Sequence, residues 1–475
     1  MADLDVRSGG NALPARPLIN RINRFLESPG YIMVVMLLTA LSSIFSMELA
    51  VYTAFALIVF YVCVFGNDLL PLMPLLICGY VSPSGANNPG REEGSIFSGS
   101  SGVFIICLAA VIAVCLIYGV IRHRKRIFTG KRKLWLGMVL LIAAYFMGGI
   151  GSPAYPDSGV KHLFFALLQS AAIALPYFLF TGGVDWTRTR KDYFAWIGFG
   201  VGCLLLCQLI GLCFTKDVFV DGEIDRTQIV MGWGMHNNFG GVLAMMIPFP
   251  FYLAAKYRHG WVFSFAGTAF LAGVMLTCSR SSILTGGAIY LMSAVLLICY
   301  ASNRKANVIA LVVIESAILV TLIACWQPLS LLFKNVIDRG LNPTNRDRIY
   351  WEGRKLYGQY PVFGGSFFSP GYEPYNWSTQ EGFSSFFPGR WHNTVVQMLA
   401  SCGTVGILAY GFHRLQTIWL FLKNRNRETV FIGCSVLVLL LSSLLDCHLF
   451  NIGPTFFYGM ALAFMENCGQ TQSEK

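Results

Sequence analysis

Charged residues are scarce in this 475-residue chain: Asp, Glu, Lys and Arg make up 12% of it, whereas apolar residues make up 55%. A soluble domain built around a single core does not reach this balance, so the composition excludes an ordinary soluble protein. Acidic residues are the rarer charge, and the formal net charge is +11. Membrane topology signals explain that basic excess, so no nucleic-acid partner is expected.

Motifs for metal binding and for secretion are also missing. The 14 cysteines lie almost entirely in apolar runs, and the sequence has no CxxC pair and no Cys/His cluster with metal-ligand spacing. Such cysteines are best interpreted as small buried apolar residues, so we expect no metal and no cofactor. Residues 1–24 are polar and basic, and the first apolar run lacks a small-residue cleavage site, which predicts an anchor rather than a cleaved signal peptide.

Apolar runs long enough to cross a bilayer recur along the whole chain. The fourteen runs are residues 31–46, 48–66, 68–82, 102–121, 134–151, 162–181, 193–213, 239–255, 261–278, 283–300, 306–325, 394–412, 429–448 and 454–467. Pro71 and Pro74 make the third run a poor ordinary helix. The pattern predicts an all-α polytopic membrane protein with about 12–14 transmembrane helices and one large extracytoplasmic loop.

The basic residues predict how the chain is oriented. With the N-terminus inside and successive runs crossing in turn, the inner segments hold 23 of the 35 Lys and Arg. Seven of the outer twelve fall in residues 326–392, a segment too long to follow the positive-inside rule. Both termini are therefore expected in the cytoplasm. The basic cluster that begins at Arg122 is expected on the same side as the N-terminus, which requires an even number of crossings before it. We therefore expect the weak run 68–82 to cross.

This topology divides the chain into five parts. We predict a cytoplasmic N-terminal tail at residues 1–30, transmembrane helices at 31–325, an extracytoplasmic loop domain at 326–392, further transmembrane helices at 393–467, and a cytoplasmic C-terminal tail at 468–475.

Three polar clusters then face outside, each at the start of a helix that runs inward. They are Arg226 with His236-Asn237-Asn238, Ser279-Arg280-Ser281-Ser282, and His392-Asn393. Helix N-termini attract anions, and guanidinium groups suit phosphate. Each cluster alone is explained more simply as a helix cap or a headgroup anchor, but three on one face favour an anion site. A histidine there has the chemistry of a general base at neutral pH, although a lone histidine at a helix start is more often structural.

The long polar loop has two parts. Residues 344–360 predict an amphipathic helix that Pro361 and Gly364-Gly365 end. From Ser366 to Trp391, nine of 26 residues are aromatic, including Trp377 and Trp391. This aromatic-rich segment is either a platform for sugar rings or the core of the loop, or else an aromatic belt at the membrane surface.

Two acids fall within apolar runs. Glu315 lies in the middle of 306–325, and Asp446 lies near the outer end of 429–448. A buried charge in lipid is costly and is a functional candidate by default.

The ordered set of Arg226, Ser279-Arg280-Ser281, Arg346 or Arg348 with Trp351, Pro361 and Gly364, and His392-Asn393 resembles the O-antigen ligase and O-antigen polymerase family. The resemblance covers roughly residues 226–412. It departs from the family at His236-Asn237-Asn238, where Asn-Pro-Asn is common, and at the adjacent Gly364-Gly365, where the family spaces its glycines. Members are metal-independent membrane glycosyltransferases that use glycans carried on undecaprenyl pyrophosphate, outside the bacterial cytoplasmic membrane. The resemblance implies that Arg226 and Arg280 hold the donor pyrophosphate and that His392 is the base.

We therefore predict a ligase or polymerase that transfers a glycan to an acceptor hydroxyl on a glycan or glycolipid. The predicted substrate-binding residues are Arg226, Ser279, Arg280, Ser281, Arg346, Arg348, Trp377, Trp391 and Asn393. The alternative is a transporter or flippase of lipid-linked glycans, in which Glu315 and Asp446 carry the coupling. A membrane assembly scaffold without turnover is a third hypothesis.

Overall fold

The computed structural model describes residues 16–45, 47–81, 99–130, 132–150, 159–231, 234–340, 346–367 and 390–468, which are almost entirely helical. The α-helices in these ranges are Arg16–Leu26 (α1), Pro29–Phe45 (α2), Glu48–Phe65 (α3), Leu72–Val81 (α4), Gly99–Arg122 (α5), Arg124–Thr129 (α6), Trp135–Gly149 (α7), Gly159–Gly183 (α8), Tyr193–Thr215 (α9), His236–Met246 (α10), Pro248–Lys256 (α11), Phe263–Leu276 (α12), Arg280–Tyr300 (α13), Arg304–Ala324 (α14), Trp326–Leu332 (α15), Lys334–Arg339 (α16), Arg346–Gln359 (α17), Thr394–Lys423 (α18), Arg427–Ser443 (α19) and Ile452–Asn467 (α20). Between α9 and α10, Phe219–Val220 (β1) pairs with Glu223–Ile224 (β2), and Val230–Met231 (β3) pairs with Gly234–Met235 (β4).

The described residues contain 8 helices that are long and apolar enough to cross a membrane, and α1 and α2 form a further candidate span with a 69° bend. Each of the fourteen predicted apolar runs contains a helix. The predicted class, an all-α polytopic membrane protein, is confirmed. Fewer helices than runs reach full spanning length because several helices, such as the fifteen-residue α7, begin and end inside their runs.

The pair α10–α11 lies at the centre of one helix group, with 94% of its spanning window buried. A helix that is apolar on every side is stable only when protein surrounds it, and α9, α12, α13 and α19 do so here. Glycines allow the close approach: a Cβ at Gly198 would collide with the Phe249 ring, and one at Gly202 with the Phe270 ring. Small residues are the usual means by which membrane helices pack closely.

Helix α18 is broken one-third of the way along, at Gly403, whose φ is 62° and ψ −156°. The residues just after α17 fill the break. The backbone N–H of Thr404 donates to the Pro361 carbonyl at 2.8 Å, and the N–H of Gly365 donates to the Ala400 carbonyl at 2.9 Å. These bonds replace the helical bonds that the break removes. The predicted role of Pro361 and Gly364-Gly365 in ending α17 is confirmed, and the same residues also join the loop to α18.

Helix α18 extends beyond the predicted run 394–412, since it continues to Lys423. The prediction placed Arg414 in an inner connection, and the structure places it inside the helix. Its guanidinium donates to the Tyr458 hydroxyl at 2.7 Å and lies 4.6 Å from the centre of the Tyr410 ring. These partners satisfy much of the charge and allow the helix to pass through it.

Two sets of predictions lie outside the described residues. One is the aromatic-rich segment from 368 to 389, which includes Trp377, and the other is the ends of the two tails, residues 1–15 and 469–475. The five-part division of the chain stays a prediction. So does a full crossing by run 68–82, because the described helix there ends at Val81.

Candidate active site

The three predicted polar helix starts lie at the same end of the structure. The Ser282 hydroxyl, in the first turn of α13, donates to the Asn237 carbonyl at 3.3 Å. The Asn238 side chain, in the first turn of α10, accepts a hydrogen bond from Asn451 at 2.9 Å. Asn451 belongs to the connection 444–451 between α19 and α20, and this connection also contacts the start of α18. The sequence predicted that these clusters face the same side, but it did not identify the connection 444–451 that joins them.

His392 lies in a sharp turn directly before α18. Its φ is 50°, in the left-handed region, where histidine is one of the residues more often found. Asn393 caps the helix, because its side-chain oxygen accepts from the backbone N–H of Val395 at 2.8 Å. The Asn393 amide donates to the Leu444 carbonyl at 2.7 Å, and the Tyr350 hydroxyl donates to the His392 carbonyl at 3.1 Å. The turn is thus held by α17 on one side and by the connection on the other.

The imidazole of His392 is paired with a carboxylate. Its Nδ1 lies 2.9 Å from Oδ1 of Asp446, whose side chain is 9% exposed. Asp446 lies beyond the end of α19 at Ser443, outside the helical part of the predicted run 429–448. A carboxylate on Nδ1 selects the tautomer in which Nδ1 carries the proton, so that Nε2 is the basic nitrogen. This pairing is a familiar way to prepare a histidine for proton transfer.

Arg346 is the second partner of Asp446. Its guanidinium donates to the Leu445 carbonyl and lies 3.5 Å from Oδ2 of Asp446. Burial on its own would raise the pKa of Asp446, but the hydrogen bond and charge of His392, with smaller effects of His448 and Arg346, hold that pKa at about 2. Asp446 is therefore ionised at neutral pH. Arg346 was predicted to contact substrate, and the contacts that the structure shows are to the carboxylate that orients His392.

His392 is the most accessible of the three histidines at this end. His236 is buried at the start of α10, and His448 is 1% exposed. A Cβ at Gly241 would meet the His448 ring at 2.5 Å, so this histidine fills space between helices. Burial lowers the pKa of His448. The side chain of His392 keeps 21% of its surface exposed, which is enough for contact with a reactant.

The predicted Ser-Arg-Ser turn begins α13. Ser279 is the residue before the helix, and its hydroxyl lies 2.9 Å from that of Ser282 and 3.4 Å from that of Ser281. Cys278, just before the turn, has a φ of 49°. The Arg280 guanidinium donates to the Gly340 carbonyl at 2.6 Å. This bond fixes Arg280 to the segment that leads into the loop.

The other predicted basic residues differ in their surroundings. Arg226 is half-buried in a single 3-10 turn after the β1–β2 hairpin, and Asp225 caps that turn by accepting from the Thr227 N–H at 3.0 Å. Arg348 is exposed on α17 and forms no hydrogen bond or ion pair within the ranges that the structure describes.

Trp391 is fully buried. It packs with Ile349, Leu356 and Ala400 in a small core between α17 and the part of α18 that precedes Gly403. A Cβ at Gly353 would come within 2.9 Å of its ring. This burial favours the loop-core interpretation of Trp391 over a platform for sugar, because a covered ring offers no face to a ligand.

Gln397 forms hydrogen bonds with residues on both sides of the aromatic-rich segment. Its amide NH₂ donates to the Phe367 carbonyl at 2.7 Å and to the Ser401 hydroxyl at 2.8 Å, and its side-chain oxygen accepts from the backbone N–H of Trp391 at 3.1 Å. Phe367 and Trp391 lie on either side of residues 368–389, so one buried side chain bonds to the chain before and after them.

The sequence reasoning missed two residues that build this site. Asp446 was noted only as an intramembrane acid, although the predicted topology already put it on the same face as His392. Gln397 gave no signal, because a single glutamine within an apolar run has many possible partners. Among the residues that the structure describes, no three His, Cys, Asp or Glu side chains are placed to hold a metal ion. That turnover needs no metal stays a prediction.

The fold and this site define a polytopic membrane protein with a polar centre at one end of its helices, where a histidine–carboxylate pair precedes a broken helix. The family model described as O-antigen ligase matches residues 265–411, a range that includes Arg280, α17 and His392. The match confirms the predicted relationship to the O-antigen ligase family and indicates O-antigen ligase-type glycosyltransferase activity. Arg226 and Asp446 lie outside the matched range. No curated protein matches the chain.

Proposed function

We propose that this protein transfers a glycan from an undecaprenyl-pyrophosphate carrier to an acceptor hydroxyl on a glycan or glycolipid, without a metal, at the outer face of a bacterial cytoplasmic membrane. The observation that supports this most directly is the His392–Asp446 pair at the start of α18. A transferase of this type needs one base for the hydroxyl and positive charge for the leaving pyrophosphate, and both kinds of group lie at this end.

The chemistry can be written with His392 as the only base. Nε2 accepts the proton of the acceptor hydroxyl as its oxygen forms a bond to the anomeric carbon of the donor glycan. The bond from that carbon to the pyrophosphate oxygen breaks, and undecaprenyl pyrophosphate leaves with the electron pair. Asp446 stabilises the imidazolium that results.

The leaving pyrophosphate gains negative charge in the transition state, so fixed donors there lower the barrier. We assign this role to Arg280, with Ser279 and Ser281 beside it and Arg226 and Arg348 as further contributors. Arg280 is already held by the Gly340 carbonyl. Because the group is positioned before the donor arrives, little rotamer freedom is lost on binding. Arg346 is a positioning residue that acts through Asp446.

The orientation belongs to the same proposal. The distribution of 23 inner against five outer basic residues over short segments favours cytoplasmic termini. A cysteine-free variant carrying a single cysteine at Ser378 or at Thr129 tests this with a membrane-impermeant label. We expect Ser378→Cys to be labelled in intact cells and Thr129→Cys to stay unlabelled. The opposite result would reverse the topology.

The transporter alternative gains no support from the contacts of the two acids. Asp446 is bound by His392 and Arg346 at a helix end, whereas Glu315 lies on the exposed α14 and accepts from the Tyr290 hydroxyl at 2.9 Å. They have different partners, and among the residues that the structure describes no hydrogen bond or ion pair joins the two acids. Incubating the purified protein with a lipid-linked oligosaccharide and an acceptor separates transfer from translocation.

The sharpest test uses His392→Asn and Arg280→Lys. Asparagine tolerates the left-handed backbone of residue 392 better than most residues with a side chain do, so His392→Asn keeps the turn and removes the imidazole. We expect glycan transfer to fall by roughly two to four orders of magnitude with donor binding retained. Arg280→Lys should also fail, because a point charge does not reproduce a bidentate guanidinium.

The matched control is Arg354→Lys, at an exposed arginine on α17, which should transfer normally. Near-normal transfer by His392→Asn would remove the catalytic assignment, and near-normal transfer by Arg280→Lys would reduce Arg280 to a generic positive charge.

A further inference from the structure

A second polar cavity lies at the opposite ends of the helices that form the candidate active site. Its volume is about 580 Å³, and it lies where α11 and α13 end and where α9 and α19 begin. The span His236–Lys256 separates the two ends with 21 residues, which is about 30 Å of helix. The cavity is therefore a full bilayer core away from His392 and has no part in the proposed transfer.

Positive charge exceeds negative charge in the cavity wall. The charged lining residues are Arg190, Lys191, Lys256 and Arg427 against Asp192 and Glu428. Both acids already have partners inside the protein. The Asp192 side chain is 1% exposed, and Glu428 accepts from the Tyr252 hydroxyl at 3.1 Å. An anion that enters the cavity would meet cations whose charge the wall does not balance.

Two of the cations are rigidly held. Arg190 donates to both oxygens of Asp192 at 3.1 Å, and the Lys256 ammonium lies 3.2 Å from the same carboxylate. The Tyr257 hydroxyl also donates to Asp192. One buried carboxylate thus fixes two cations at the cavity wall and neutralises only one charge.

The other two cations are more available. Lys191 is exposed and forms no hydrogen bond or ion pair among the described residues. The Arg427 guanidinium reaches Glu428 only at 3.9 Å and lies 5.9 Å from the centre of the Tyr252 ring. Neither is needed to keep Asp192 buried, so both can turn toward a ligand at small cost to the fold.

The cavity is surrounded by aromatic residues of the types that concentrate at the depth of lipid headgroups. Tyr300 lines it, and the Trp196 indole donates to the Tyr257 hydroxyl at 3.3 Å. Nearby, Trp261 is 38% exposed and Phe265 is 46% exposed on the outer surface of the bundle. Tryptophan and tyrosine concentrate at the membrane–water interface, and apolar surface beside the cavity suits acyl chains.

We propose that this cavity binds the phosphate of an anionic phospholipid from the leaflet at that end, which the charge pattern predicts to be the cytoplasmic one. Basic cavities between transmembrane helices are suited to anionic headgroups, since guanidinium and ammonium groups bind phosphate while the acyl chains stay in the bilayer. The site would fasten α9, α11, α13 and α19 together from the side opposite the active centre.

The test measures binding of phosphatidylglycerol to the purified full-length protein in neutral detergent by native mass spectrometry. The pocket variant is Lys191→Gln with Arg427→Gln, which spares the Asp192 network. The control is Arg304→Gln with Lys305→Gln, two exposed cations at the start of α14. They lie at the same end, because the Ser302 N–H donates to the Ala255 carbonyl at 2.8 Å. Both variants lose two positive charges.

We expect the pocket variant to bind phosphatidylglycerol about 30-fold more weakly, from about one kcal/mol per basic side chain, and the control to bind as the unaltered protein does. Equal binding by the pocket variant, or equal loss in both variants, would overturn the site in favour of general surface attraction. A separate arm adds inorganic phosphate as competitor. Displacement of the lipid at equal concentration would show a free-anion site and overturn the lipid assignment. The readout does not use glycan transfer, so this outcome is independent of the proposed function.

Discussion

Replacing Asp446 by asparagine tests whether the carboxylate determines which ring nitrogen of His392 carries the proton. In the structure the carboxylate accepts from Nδ1 of His392, leaving Nε2 as the base. An asparagine of the same shape can present its NH₂ group to Nδ1 instead. It would then favour the tautomer with the proton on Nε2, which cannot accept one from the acceptor hydroxyl. The imidazolium formed during transfer would also lose its negative partner.

The magnitude follows from removing general-base catalysis while leaving the binding groups in place. We expect transfer by Asp446→Asn to fall by roughly 10²- to 10⁴-fold, which is about 3 to 5 kcal/mol in the barrier. Donor binding should change little, because Arg280 does not contact Asp446 in any hydrogen bond that the described residues show. Arg346 keeps its bond to the Leu445 carbonyl, so the connection should hold its shape.

The assay is glycan transfer by purified variants from a lipid-linked donor, with donor binding and thermal unfolding measured in parallel. Glu315→Gln is the matched control, since it also neutralises an acid within an apolar run but contacts Tyr290 rather than His392. Near-normal transfer by Asp446→Asn would refute the orienting role. Equal losses of transfer, binding and folding would show that Asp446 is only structural, and loss of transfer by Glu315→Gln would revive the coupling hypothesis.

Further predictions follow from the helix break, from Trp391 and from the charge of Asp446. Gly403→Ala should lower both the unfolding temperature and the transfer activity, because a φ of 62° disfavours a side chain and the new Cβ would collide with the Val362 carbonyl. The control Gly411→Ala should be neutral, because a Cβ there meets no atom within 4 Å. Trp391→Ala should destabilise the loop core by about 3 to 5 kcal/mol, measured by limited proteolysis, and loss of transfer with normal protease resistance would instead indicate direct glycan contact. Because the folded pKa of Asp446 is depressed to about 2, its stabilisation is complete above the ordinary pKa of about 4 and is lost as pH falls toward 2. The unfolding-temperature gap between the protein and Asp446→Asn should therefore shrink as pH falls from 4 to 2, and a gap that stayed the same down to pH 2 would contradict the depressed pKa.

The sequence predicted the fold class because spanning helices in lipid have a local signal. Each apolar run contains a helix, and the start of α13 at Arg280 and of α18 at Thr394 agree with the polar clusters. The extent of α18 was missed because a cation inside a membrane helix looks like a helix end, and only tertiary partners such as Tyr458 make Arg414 tolerable there.

The site was predicted in part for the same reason. Helix-start residues such as His392 and Asn393 could be identified because capping is local. The pairing of His392 with Asp446 joins residues 54 positions apart, and no periodicity encodes such a contact. Arg346 shows the same limit. Its charge suggested a phosphate ligand, and only the folded chain shows that its guanidinium lies beside the Asp446 carboxylate.

The bonds of Gln397 make the position of the catalytic histidine independent of the length and sequence of residues 368–389. Gln397 bonds to the Phe367 carbonyl and to the backbone N–H of Trp391, so the distance between these two residues is fixed. The chain between them can therefore be exchanged without changing that distance. Lengthening a closed loop costs little, because its entropy grows only with the logarithm of length. A chimera that carries the 368–389 segment of a relative should therefore keep His392 and Asp446 in place and retain transfer activity.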